Sequence, residues 1–402
     1  MDKFKDFIFE EKVQRDKITI LILTNSKSKK PEVVTGQLIK AAKSLGLPCY
    51  NVIVSEAWIA DNDIEQGTIK IKNHDGEENE IEVKVRETVV FVRAGALENE
   101  TGLALLGTLQ NAGCFMINDR DGMLTCDNKM SAYTAFERNG INTPRTSLVN
   151  NEKSIPDAHE RIGGKFPVII KTLTGTQGVG VSKVESMESM MSVVQSLWKF
   201  GATLIVQEFL ELDGDIRTIV MNGRIVASTK RIKPKKDFRS NRHMGAETEP
   251  YELSDEEKKV VLAAARATGA YMVGVDHAVV DKKIYVLECN GSPGLGSNFQ
   301  NYDITQIPQT PMKEKDIIKF VLEYLQNPVH RRHKFNQESG YHETLEIVGY
   351  GDIRAKFDTG NGTNASMFNV DKIDVSGKTV KWERDGKKFT HKLIGISKPE
   401  HV

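Results

Sequence analysis

The chain has 402 residues, and 55 Lys plus Arg balance 55 Asp plus Glu, so its formal net charge is zero. With 39% hydrophobic and 27% charged residues it has the make-up of a soluble globular chain of two or three domains. The balance excludes a general nucleic-acid or membrane-surface binder driven by net charge. The four scattered cysteines, Cys49, Cys114, Cys126 and Cys289, form no CxxC pair and point to a reducing compartment. The charged N-terminus MDKFKDFIFEEKVQRDK is unlike a secretory signal, and no apolar run reaches the roughly 20 residues of a membrane helix. A cytoplasmic protein is expected.

KITILILT (17–24) is a β-branched run typical of a buried strand. VVTGQLIKAAKSLG (33–46) has helical spacing and stops at a glycine; CYNVIV (49–54) and TVVFVRAG (88–95) are further strands. Strand, helix and strand at this spacing predict an open α/β unit. The polar stretch 61–87 fits a small hairpin turning at NHDGEEN. SAYTAFERNG (131–140) is a helix ended by Gly140. Strands then alternate with helices from FPVIIKTL (166–173) to IYVLECN (284–290), with helices over 185–200, 254–269 and 313–327. Ser254, with Glu257 three residues on, is a capping box. HRRHKFNQESG (330–340) is charged and poor in apolar residues, so it reads as a linker; the remainder is strand-like with turns at SGK and DGK.

Three stretches carry chemistry. In KTLTGTQGVGV (171–181), glycines at 175, 178 and 180 let backbone N–H groups approach an anion. No GK[ST] follows and the loop opens no helix, so it is neither a phosphate loop of the Walker type nor a dinucleotide fingerprint. A plain glycine-rich hairpin is the alternative. In the second, Glu288 and Asn290 are two apart on a strand and share a face, and Asp276 lies on the preceding strand. Such oxygen donors suit Mg²⁺ held together with phosphate. Two carboxylates about 4 Å apart repel by roughly 4 kcal/mol at an effective dielectric near 20, so the pair asks for a cation. The alternative is three unrelated residues at strand ends. The third stretch is basic: Lys129, Lys171 and KRIKPKKDFRSNR (230–242). A solvated loop or a nucleic-acid patch are its other readings, though aromatics are too few for base stacking.

Taken in order, FPVIIKTLTGTQGVGV, LIVQEFL, GDIRTIV, KDFRSNRH, VGVDHAVV and LECNGSPGL resemble the ATP-grasp ligases, within them the RimK-type glutamate ligases, over residues 125–325. The resemblance implies an α+β ATP-grasp domain at 123–328, preceded by an α/β pre-ATP-grasp domain at 1–122 and followed by a linker at 329–341. It implies that Lys129 and Lys171 hold ATP phosphates under a lid containing Gly175, Thr176, Gln177 and Gly178. Glu208 and Phe209 would frame adenine through their backbone, Asp215 would serve the nucleotide, and Arg239, Ser240 and Asn241 would flank the phosphates. Asp276, Glu288 and Asn290 would hold Mg²⁺, or Mn²⁺ in its place. Arg217 and Arg231 would take substrate carboxylates, since guanidinium forks match them, and with Lys171 form the catalytic set. The implied reaction is amide formation through an acyl phosphate, adding glutamate or a similar amino acid to a peptide or protein carboxylate. A small dipeptide-like acceptor is the alternative. Where this family has Arg after the RSN stretch, Met244 stands here, with Arg242 two positions earlier.

KFDTGNGTNAS (356–366) resembles the Asp-Thr-Gly turn of retropepsin-like proteases, most closely the "ATP-dependent zinc protease" modules associated with RimK ligases. One turn, Asp358–Thr359–Gly360, supplies half of an aspartic dyad, so proteolysis requires a dimer. A small all-β module at 342–402 serving dimerisation or docking is the competing expectation. The partners expected are therefore an amino acid, a peptide or protein acceptor and further copies of the chain, with no membrane and no specific nucleic acid.

Overall fold

The computed structural model describes residues 16–25, 33–63, 67–73, 80–97, 100–175, 180–233, 247–295, 299–304, 311–312 and 316–331, and five strands after residue 341. The chain divides into a unit at Met1–Phe335 and a second at Asn336–Val402.

The first unit begins with a parallel sheet. Strands β1 (Thr19–Thr24), β2 (Cys49–Ile53), β6 (Thr88–Val92) and β7 (Phe115–Ile117) lie in the order β2-β1-β6-β7. Ile20 to Leu23 and Val89 to Val92 are buried along their whole length, as expected of strands covered on both faces. Helix α1 (Val33–Ser44) follows β1, and Gly46 just beyond it sits at φ 66°, the left-handed exit glycine permits. Helix α2 (Glu100–Asn111) precedes β7. The expected hairpin is larger than the sequence suggested: β3 (Ala57–Asp63), β4 (Thr68–Asn73) and β5 (Glu80–Lys84) form a three-stranded antiparallel sheet. Ile69, Ile71, Ile81 and Val83 are its buried, alternating face.

Helices α3 (Arg120–Asp127) and α4 (Lys129–Arg138) come next. Asn128 both ends α3 and caps α4 by accepting from Met130 N and Ser131 N. A four-stranded sheet follows, β10-β9-β11-β8, from β8 (Thr146–Val149), β9 (Val168–Thr172), β10 (Val181–Val184) and β11 (Leu204–Glu208). Helices α5 (Ser154–Arg161) and α6 (Met187–Trp198) cover one face of it. Met190 belongs to that core.

The seven-stranded sheet is built on β12 (Gly214–Met221), β13 (Arg224–Ile232), β15 (Met272–Val280) and β16 (Lys283–Asn290), in the order β16-β15-β12-β13. β14 (Glu247–Pro250), β17 (Gln300–Tyr302) and β18 (Pro311–Met312) complete it beyond β13. Helix α7 (Asp255–Thr268) packs with α4 against Val273, Val275, Val286 and Cys289. Its start is the predicted capping box, with Ser254 and Glu257 bonded reciprocally, and Gly269 ends it at φ 71°. Helix α8 (Ile317–Leu325) buries Ile317, Ile318, Val321, Leu322 and Leu325 in a stripe. Together with Leu38, Ala41 and Ala42 of α1 they form one core; each such side chain contributes about 2 kcal/mol by leaving water.

The second unit contains a hairpin, β19 (His342–Ile347) with β20 (Gly351–Lys356), and a three-stranded sheet, β21 (Lys372–Ser376), β22 (Thr379–Arg384) and β23 (Lys387–Lys392). The Asp358–Thr359–Gly360 turn, the linker residues 332–340 and Met244 lie outside the described residues. No helix among the described residues is long and apolar enough to cross a membrane.

Candidate active site

One cavity of about 530 Å³ lies within the first unit, inside the size range of small-molecule sites. Both antiparallel sheets feed it through their period of two. On the four-stranded sheet, Val168, Ile170, Leu204 and Val206 point to the helix-covered core. Their alternating neighbours Lys171, Ile205 and Gln207 line the cavity. On the larger sheet, Arg217 is the register partner of Asp276, and Asp276 of Glu288, while Asp215 pairs with Arg231. All of these therefore share one face. A bulge after Asp276 leaves Leu287 as an extra residue in the lining, beside Glu288, Asn290, Arg217 and Arg231.

Lys171 Nζ donates to Gln207 Oε1 at 2.7 Å and Lys129 Nζ to the Gly175 carbonyl at 2.8 Å. Burial pushes both lysine pKa values down, and Glu288 opposes the shift in each. Lys129 further depresses Lys171. Two cations held this way favour an added polyanion. Glu288 shows the reverse. Burial first, and then the charge of Asp276, raise its pKa against Lys171, Arg217 and Arg231. Its side chain is 40% exposed, and the residue lines the cavity. Asn290 Oδ1 accepts from Ser292 N at 2.9 Å.

The arginines depart from the role the sequence suggested. Arg217 bonds Asp276 in a fork, Nε to Oδ1 at 2.7 Å and Nη2 to Oδ2 at 2.6 Å, and lies 3.8 Å from Glu288. Arg231 donates to both oxygens of Asp215 and, at 2.6 Å, to Asp276 Oδ2. The carboxylates they grip are the chain's own. Burial opposes the charge on Asp276, yet the two guanidiniums win and hold it well below the usual carboxylate range. Burial likewise opposes the Arg231 charge, and Asp276, Asp215 and Glu288 overcome it, raising its pKa. The charge of Asp276 beside Glu288 is thus already countered by arginine, so that pair by itself does not demand a metal ion.

One further expectation needs correction. Asp215 is 2% exposed and committed to Arg231, so its carboxylate is not offered to a nucleotide. Glu208, expected to act on adenine through its backbone, has its side chain bonded by Arg145, which donates from its backbone N and from Nε, each at 2.8 Å. Phe209 lies under Lys183, whose Nζ is 4.7 Å from the ring centre. Thr176, Gln177, Gly178, Arg239, Ser240 and Asn241 lie outside the described residues.

The residues fit a divalent cation in part. Glu288 and Asn290 line the cavity, and Asn290 Oδ1 already accepts from Ser292 N. Asp276 is 1% exposed with three N–H bonds already accepted, leaving it one acceptor position out of about four. Among the described residues no three His, Cys, Asp or Glu side chains gather as a metal site. Gln207, Arg145, Arg93 and Ser292 were not anticipated. Gln207 carried a signal, a polar residue within the apolar strand LIVQEF.

The RimK-like ATP-grasp domain family matches residues 126–309. A "Probable alpha-L-glutamate ligase" of Aliivibrio fischeri is 32% identical over 267 residues, 65% of this chain and 84% of that protein. The chain belongs to the RimK-like ATP-grasp family. "Probable alpha-L-glutamate ligase 2" of Shewanella amazonensis is 36% identical over 196 residues, 48% of this chain, and the chain spans 65% of that relative's length. Among solved structures, macrocyclase MdnC bound with precursor peptide MdnA, from Microcystis aeruginosa, superposes with a TM-score of 0.55 at 16% identity, over 77% of this chain and 99% of that one. D-alanyl-alanine synthetase A from Vibrio cholerae gives 0.53 at 16% identity, over 78% and 99%. These likenesses show an ATP-grasp fold.

Proposed function

We propose that the protein is an ATP-dependent carboxylate–amine ligase, forming an amide through an acyl phosphate and adding glutamate or a similar amino acid to a peptide or protein carboxylate. The observation that carries this reading is the convergence of Lys129, Lys171, Glu288 and Asn290 on one cavity backed by Arg217 and Arg231. The relatives named alpha-L-glutamate ligases support it and favour glutamate.

A carboxylate is a poor acyl donor because its leaving group is oxide; phosphorylation by ATP replaces that with phosphate. An attacking amine then forms the amide and phosphate departs. Lys129 and Lys171 neutralise the phosphates in a partly desolvated site, where charge stabilisation is strongest. Arg231, fixed by Asp215 and Asp276, supplies a pre-oriented positive charge at the cavity wall. Glu288 and Asn290 would hold Mg²⁺, with Mn²⁺ as a substitute and Asp276 contributing its remaining acceptor position. Such an ion offsets charge on transferring phosphoryl oxygens. No protein nucleophile is required.

The test is incubation with Mg²⁺-ATP and each amino acid in turn, with candidate peptides present, measuring phosphate release and product mass. The expected result is amino-acid-dependent release of ADP and phosphate with an amide product, lost in Glu288→Gln. Normal turnover in that variant refutes the assignment of Glu288.

A further inference from the structure

A relay of hydrogen bonds crosses the four-stranded sheet and ends on Lys171. On β11, Gln207 is the register partner of Thr146 on β8, and Ile205 is that of Lys171 on β9. Lys171 therefore lies diagonal to Gln207 on the same face, within reach of a long side chain. Lys171 Nζ donates to Gln207 Oε1 at 2.7 Å, and Gln207 Nε2 donates to Thr146 Oγ1 at 2.8 Å. Thr146 Oγ1 in turn donates to the Pro144 carbonyl at 2.9 Å.

The direction of this relay is set by chemistry. A carbonyl only accepts and a hydroxyl has one hydrogen, so the Thr146 hydrogen goes to Pro144 and a lone pair faces Gln207. That turns the amide nitrogen of Gln207 toward Thr146 and its oxygen toward Lys171. An ammonium only donates, so Lys171 demands the same orientation from the other end. Gln207 and Thr146 are both buried, and a buried amide pointing the wrong way would leave donors and acceptors unpaired. Gln207 and Lys171 line the cavity, with Ile205 between them on β11 and β9. The lysine ammonium is a point charge on a flexible four-carbon stem. A neutral oxygen bonded to it fixes its place and leaves its charge uncancelled.

We propose that Gln207 is a positioning residue for nucleotide binding: its amide, oriented by Thr146 and the Pro144 carbonyl, holds the Lys171 ammonium ready for an ATP phosphate. Ordering the ammonium before the nucleotide arrives removes that cost from the binding step. This inference rests on the ligase reading, in which Lys171 holds phosphate.

The test is calorimetric titration of the full chain with the Mg²⁺ complex of the β,γ-imido analogue of ATP, with folding checked by circular dichroism. Gln207→Met, close in shape but without the amide, is expected to weaken binding about tenfold. Lys171→Met is expected to weaken it at least as much, with Lys129 still present so that binding can be read. Adding Gln207→Met to Lys171→Met should then cost less than twofold more, because the amide acts only through that ammonium. Thr146→Val, which keeps the shape and removes the hydroxyl, should weaken binding at least threefold, and Thr146→Ser should restore it to within twofold of the wild type. Gln207→Met binding as tightly as the wild type overturns the proposal, as does an equal loss from it in both backgrounds, the mark of a merely structural role. Thr146→Ser binding no better than Thr146→Val overturns the relay. A wild type that fails to bind the analogue counts instead against the ligase reading.

Discussion

Arg217 and Asp276 face each other across β12 and β15 as register partners, joined by a two-bond fork at 2.7 and 2.6 Å. The fork lies at the wall of the cavity, with Glu288 on the far side of Asp276. A buried pair of this kind adds little net stability, yet removing one partner leaves the other charge uncompensated. Arg217→Met and Asp276→Asn should each lower stability by about 3 kcal/mol. The double variant should lose less than the sum by at least ~1.5 kcal/mol in urea unfolding. Additive losses would show that the two side chains are not energetically joined.

Glu288 carries a charge the unliganded fold disfavours, because burial and Asp276 raise its pKa. Below its ordinary value of 4.5 it is protonated folded or unfolded, and the penalty vanishes. Above the raised folded value the penalty is complete. Glu288→Gln should therefore melt at a higher temperature than the wild type at pH 7.5, in the absence of nucleotide, while losing ATP turnover. The advantage should shrink as the pH falls into the ordinary carboxylate range. Thermal melts at several pH values check this, and an equal or lower melting temperature at neutral pH contradicts it.

Glu257 has the opposite sign. It is 4% exposed and accepts from Ser254, from Tyr251 at 3.1 Å, and pairs with His277 Nε2 at 3.1 Å. Burial opposes its charge, but the His277 and Ser254 bonds prevail and bring its pKa from 4.5 to about 2. Its contribution is present above the ordinary value and lost as the pH falls toward the folded one. Glu257→Gln should cost roughly 3 kcal/mol at pH 7, with the gap to the wild type closing between pH 4.5 and about 2. Acid titrations of both proteins, followed by circular dichroism, give the comparison.

Glu288 and Asn290 were legible from the sequence because alternation on a strand assigns faces without tertiary information, and Lys171 was legible as a basic residue of the stretch that carries the family resemblance. The capping box at Ser254 and Glu257 was legible because its bonds are local. Arg93 was not, since it meets the loop after β16 at the Pro293 carbonyl, 200 residues away in sequence. The use of Asp215 was also hidden: its partner Arg231 lies 16 residues on and reaches it only through the β12–β13 register.

By itself, then, the sequence determined the α/β class, the order of the strands carrying phosphate- and cation-directed groups, and the faces they occupy. Those properties follow from short-range periodicity and capping. Only the tertiary structure decided which charges neutralise one another and which stay open to a reactant. That division depends on burial and on pairings between distant strands, where distances of a few ångströms and the loss of water set the strength of each charge.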